Sequence, residues 1–123
     1  MDNDKIMTIA QLKEIIKKFA DERDWSQFHD PKNLSMSIAI EAAELMEKFQ
    51  FVSNQESIEL AKTNKTEIAH ELVDVLSYVL SFANRCDIDL SSTLEEKMVL
   101  NRKKYPVELA KGSHLKYSKL HKK

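Results

Sequence analysis

The sequence predicts an all-α fold, and three observations carry that prediction. Of 123 residues only one is Gly and two are Pro, too few chain-breakers for a strand-and-turn architecture. Ala, Leu, Glu, Lys, Ile and Ser dominate the composition, a mixture that favours long helices. Apolar residues recur at intervals of three and four, the period of a helix with one buried face. The length fits a single domain, expected at 8–106, with a short disordered N-terminus at 1–7 and a basic tail at 107–123.

The elements follow in order. Thr8-x-x-Gln11 has the form of a capping box, and Ile9, Leu12, Ile15, Ile16, Phe19 and Ala20 then mark a first helix to about Arg23. Asp24 to Pro31 is irregular and aromatic, and Pro31 disfavours helix at Asp30, so a loop carrying Trp25, Phe28 and His29 is expected. Such a loop either binds a ligand or caps the core with its rings. A second helix, Asn33 to about Phe51, places Leu34, Ile38, Ala42, Leu45 and Phe49 on one stripe and Glu41 and Glu44 on the next. Ser53 to Thr63 is polar and fits either a loop or a short helix. Asn64-x-x-Glu67 resembles a cap for a third helix to about Arg85, apolar around most of its circumference except for a line made by Glu71, Asp74 and Tyr78. Ser92-x-x-Glu95 caps a fourth, ended by Tyr105-Pro106.

Glu41-x-x-Glu44 and Glu71-x-x-Asp74 form two matched carboxylate pairs. A spacing of three puts each pair on one helix face, so two such helices side by side aim four acids into one cleft. Acids held together near a core repel one another unless a cation or strong hydrogen bonds compensate. Hard oxygen ligands select a hard cation, and Mg2+ fits. One acidic pair alone is commonly just a solvated helix face. Asp74 resists that reading, because it is a poor helix-interior residue lying between Val73 and Val75. Glu67-x-x-His70 opens an alternative, a di-iron-type metal-binding bundle, but such sites use that pattern on two helices and here it occurs once. A second alternative is a non-enzymatic interaction module with an acidic face.

Composition excludes other classes. There is no Gly-rich phosphate loop or dinucleotide fingerprint, and no Cys/His cluster for zinc. The net charge is −1, yet Val107 to Lys123 holds five Lys against Glu108, so residues 1–106 keep 14 of the 19 basic and 19 of the 20 acidic groups. An acidic body with a lysine tail lacking interleaved aromatics gives no expectation of a stable nucleic-acid complex. The lone Cys86 fits a reducing compartment, and no apolar leader or span of about 18 residues occurs, so a cytoplasmic protein free of membrane is expected.

Together these motifs resemble the MazG-like all-α nucleoside triphosphate pyrophosphatases, whose hallmark is Glu-x-x-Glu followed by Glu-x-x-Asp. Phe19 to Leu34, Glu71 to Tyr78 and Asn101 to Pro106 are similar to the dCTP pyrophosphatase branch in particular. The resemblance covers roughly residues 8–118. It implies a four-helix bundle completed by oligomerisation, as a homotetramer or a dimer. It also implies Mg2+-dependent hydrolysis of a (deoxy)nucleoside triphosphate, dCTP or a modified dCTP, to the monophosphate and pyrophosphate. Glu41, Glu44, Glu71 and Asp74 would hold the metal, with Glu41 or Glu44 as the base that takes a proton from water. Trp25 and His29 would lie near base and sugar, Tyr78, Asn101, Arg102 and Lys104 would contact substrate, and Glu47 would assist at the metal. Phe51 stands where the branch has a tryptophan, altering one wall of the base pocket.

Overall fold

The structure, a computed structural model, describes residues 2–120; Met1 and the last three residues of the expected tail lie outside the described residues. Among them there is no strand. Five helices have 10 residues or more and two are single turns of 4: α1 Ile9–Glu22, α2 Pro31–Glu47, α3 Asn54–Thr63, α4 Lys65–Arg85, α5 Leu90–Lys104, α6 Val107–Ala110 and α7 Tyr117–Leu120. The all-α expectation holds, but the count of four long helices does not. Ser53–Thr63 is the reason, for Ser53 and Glu56 form a reciprocal capping box that starts α3.

Other boundaries moved for equally local reasons. Pro31 sits at the first position of α2, where its missing N–H costs nothing and its fixed φ suits a helix, so α2 begins two residues before the expected Asn33. It ends at Glu47, and Phe49 to Phe51 lie in turns. Asn64 caps α4 by position only, with no side-chain hydrogen bond. α5 begins at Leu90, ahead of the expected Ser92, because Asp89 accepts from the Ser92 amide. In the N-terminal stretch, Asn3–Lys5 form one turn of 3-10 helix.

The chain divides after Ile88 into two compact units, inside the expected 8–106 span. In the first, α4 is the hub: α2 packs along it most extensively, then α1 and α3. Leu34 is 1% exposed and Leu80 and Ala83 2% each, with Ala20 also buried. The second unit holds α5 to α7, with Gly112 turning at φ +76° between the two short helices. Among the described residues no helix is long and apolar enough to cross a membrane.

Candidate active site

α2 and α4 run antiparallel, and an ion pair marks each end of their contact. Arg85 at the end of α4 faces Asp30 at the start of α2 at 3.7 Å, while Lys48 at the end of α2 faces Glu67 on the first turn of α4 at 3.8 Å. Between those two pairs, the same register sets Glu41 across from Asp74 and Glu44 across from Glu71. Carboxylate oxygens of Glu41, Glu44 and Glu71 all lie within 4.8 Å of one another. Asp74 is exposed and stands outside that triad, but its charge reaches Glu41.

The electrostatics of this cluster are unfavourable as it stands. Burial, then the adjoining Glu44 carboxylate, then the charges of Asp74 and Glu71 push the Glu41 carboxyl up to about 7. One oxygen of Glu41 and one of Glu71, both Oε2, are closed to solvent and have no hydrogen-bond partner among the described residues. Buried acceptors left without a donor cost free energy, and a cation is what three converging carboxylates accept together. The residues present therefore fit a hard divalent ion. They do not fit the di-iron pattern: His70 is exposed and outside the cluster, and Glu67 is turned to Lys48. Glu47 is exposed and borders a separate depression with Ala43, Met46 and Gln50.

Beside the acids opens a cavity of about 320 Å3, lined by Ile16, Phe19, Ala20, Trp25, His29, Glu41, Asp74, Ser77, Tyr78 and Ser81. Trp25, His29 and Tyr78 are thus brought together with two of the four acids. The loop that carries Trp25 is set by the end of α1. Asp24 adopts φ 55°, and the amides of Asp24 and Trp25 return to the carbonyls of Asp21 and Ala20 at 3.1 and 3.0 Å, a Schellman closure with Asp in the position usually held by Gly. Trp25 then meets Phe19 edge to face at 5.5 Å, and Arg23 covers the Phe19 ring at 3.9 Å. Trp25 remains 41% exposed, so it serves as a cavity wall rather than a core plug. Phe51 is 90% exposed in the turn after α2 and does not line this cavity.

Asn101, Arg102 and Lys104 occupy the last turns of α5, in the second unit; Asn101 is half-buried and the two cations exposed. Sequence reasoning did not single out Phe19, Ser77 or Ser81 as site residues. The polar line Glu71, Asp74, Tyr78 in fact continues down α4, and its continuation was the available signal.

This geometry has known relatives. The MazG-like family model matches residues 36–120. The dCTP pyrophosphatase 1 of Mus musculus is 42% identical over 115 residues, covering 92% of this chain and 68% of that protein. Its Homo sapiens counterpart is 37% identical over the same share of each. The crystal structure of a pyrophosphatase from Archaeoglobus fulgidus superimposes with a TM-score of 0.76 at 39% identity, covering 80% of this chain and 92% of that one.

Proposed function

The chain belongs to the MazG-like family, and on that premise we propose the reaction it carries out: hydrolysis of a nucleoside triphosphate, dCTP or a modified dCTP, to the monophosphate and pyrophosphate, with Mg2+ as cofactor. It is a nucleotide pyrophosphatase, as its relatives are by name. The single observation that supports this reading best is the carboxylate triad with its two buried, unpartnered oxygens, set at one end of an aromatic cavity.

Glu41, Glu44 and Glu71 would hold the ion, with Asp74 completing the charge. When bound, a divalent cation supplies charge neutralisation at the phosphates and activation of water. The chain's own residues do the rest. Whichever of Glu41 and Glu44 keeps an oxygen free of the ion takes the proton from the attacking water. Water adds, the bond joining the α and β phosphates breaks, and pyrophosphate leaves. Phe19 and Trp25 give the base an aromatic wall, while His29 and Tyr78 border the sugar. The resemblance assigns Asn101, Arg102 and Lys104 to the substrate as well, and their donors suit phosphate.

Self-association belongs to the same proposal, as a tetramer or a dimer. Met46 is 70% exposed, and Met36 and Ile40 each 55%, more apolar surface than a single helix face of a monomer needs to show. The test is a panel of canonical and modified nucleoside triphosphates with and without Mg2+, following pyrophosphate release. Metal-dependent release is expected, highest with dCTP or a 5-substituted dCTP; no release with any nucleotide refutes the proposal.

A further inference from the structure

The segment that carries Trp25 and His29 has little internal structure to hold it. It contains one 3-10 helix of three residues, Ser26–Phe28, a geometry used only in short pieces because its hydrogen bonds are poor. Its front is tied to α1 through the backbone, and its rear to α2, where Asn33 Nδ2 donates to the Phe28 carbonyl at 3.1 Å. Between those ties, among the described residues, one side-chain hydrogen bond joins the segment to α1: Ser26 Oγ donates to Asp21 Oδ1 at 3.0 Å.

Ser26 is well placed to control both cavity residues. It follows Trp25 directly, and its carbonyl accepts from the His29 amide at 3.1 Å. Asp21 is in turn held from the other side. Lys17, one turn earlier on the same face of α1, donates Nζ to Asp21 Oδ2 at 2.7 Å and leaves Oδ1 to the hydroxyl. The hydrogen bond from Lys17, then that from Ser26, holds the Asp21 carboxyl below the ordinary carboxylate range. A carboxylate only accepts, so Ser26 is the donor. Lys17, Asp21, Ser26 and His29 line a recess of about 150 Å3, and of these four only His29 also lines the larger cavity beside the acids. Asp21 therefore acts on the wall from outside the space that a nucleotide would fill.

The side chains of Lys17 and Asp21 are 58% and 48% exposed, where an ion pair adds little to stability. The consequence of the bonding is geometric. A wall already in place spares a ligand the cost of ordering it on binding. We infer that Asp21 is a positioning residue for the nucleotide: it holds Ser26, and through Ser26 sets Trp25 and His29 as a preformed cavity wall, so that its loss weakens capture of substrate and leaves the chemistry at the acids untouched. The inference rests on the hydrolase reading for what the wall receives.

The experiment compares the wild type with Asp21→Ala, Ser26→Ala, the double variant and Asp21→Asn. Iodide quenching of Trp25, the one Trp of the chain, is measured without nucleotide, and kcat and KM are measured with dCTP and Mg2+. Asp21→Ala and Ser26→Ala should each make Trp25 easier to quench and raise KM about three- to tenfold, the effect of one hydrogen bond. Turnover should stay within about twofold, as for loss of an interaction that serves binding alone. The double variant should be no worse than either single one, since both remove the same bond. Asp21→Asn keeps an oxygen that accepts from Ser26 and should restore most of the wild-type KM. Melting temperatures should barely move; if Asp21→Ala fails to fold, Ser26→Ala against Asp21→Asn decides the matter. Unchanged quenching and KM in Ser26→Ala, effects that add in the double variant, or a loss of kcat with KM unmoved overturns the inference. Should quenching respond as expected, with rescue by Asp21→Asn, while dCTP is not hydrolysed by any form, the positioning of Trp25 by Asp21 stands and the hydrolase proposal falls.

Discussion

The last six residues of α4 and the fifteen before them hold a similar share of apolar residues and are buried very differently. From Leu80 onward the helix is covered by its own chain: Leu80 and Ala83 are 2% exposed, and Asn84 is tied to α1. The preceding stretch carries Glu71 and Asp74 and leaves Leu72 55%, Val73 52% and Leu76 39% exposed. The difference in burial is tertiary, since the share of apolar residues does not distinguish the two stretches. It teaches that the base end of the cavity rests on a self-sufficient scaffold. The acidic end depends on things outside a single chain, a cation for its carboxylates and, in our proposal, further copies for its leucines.

Breaking the acidic end should give the largest effect. Glu41→Gln, Glu71→Gln or Asp74→Asn is expected to lower turnover by roughly 10²- to 10⁴-fold, the range for loss of a group that takes a proton in the reaction, here extended to those that would hold the water-activating ion, while far-UV circular dichroism stays that of the wild type. Turnover retained in all three would erase the distinction between the two stretches.

Core truncation sharpens the comparison next. Leu80→Ala should cost about 2–5 kcal/mol, as for a leucine in a closed core. Leu72→Ala, on the open flank, should cost under about 1 kcal/mol in dilute protein and more only where copies associate. Urea unfolding at two protein concentrations separates them, and equal losses at both sites would contradict the asymmetry.

The pH dependence of stability probes the acids without mutation. Glu41 holds its proton to about 7 in the folded chain against an ordinary 4.5, so the folded state binds more protons than the unfolded one between those values. Its contribution is therefore complete below about pH 4.5 and is lost as pH rises to about 7. In EDTA the urea midpoint of the wild type should fall across that window, and Glu41→Gln should flatten the fall.

The smallest effect belongs to the scaffold of the base end. Asp24 pays for a left-handed φ of 55° that Gly adopts freely. Asp24→Gly should leave Trp25 in place and raise stability by under about 1 kcal/mol, read from the melting temperature. A loss of several degrees would mean that Asp24 does more than turn the chain.

What was legible in the sequence was local. The Thr8–Gln11 capping box, the apolar periods and the two acidic spacings all depend on residues within a turn of each other; the structure forms the box and brings Glu41, Glu44 and Glu71 together, with Asp74 outside that triad. What was illegible depends on competition or distance. Ser92 looked like a cap, but Asp89 takes its amide first. The turns after α1 and α4 carry Asp24 and Asp87 at positive φ, where glycine would have announced them. In an apolar helix Ser81 reads as a small filler, and only the packing of α1 across it reveals a hydroxyl at a cavity wall. The register that sets Glu41 across from Asp74 is held by pairs spanning from Asp30 to Arg85 and from Lys48 to Glu67, separations no local rule reaches.

The most direct measurement is a thermal melt of the metal-free protein titrated with Mg2+ at pH 8, wild type beside Glu41→Gln. A saturable rise in melting temperature is expected for the wild type, with little or none in the variant, because the ion takes up charge that three converging carboxylates otherwise hold against each other. A wild-type melt indifferent to Mg2+, Mn2+ and Ca2+ alike would contradict a cation site at Glu41, Glu44 and Glu71.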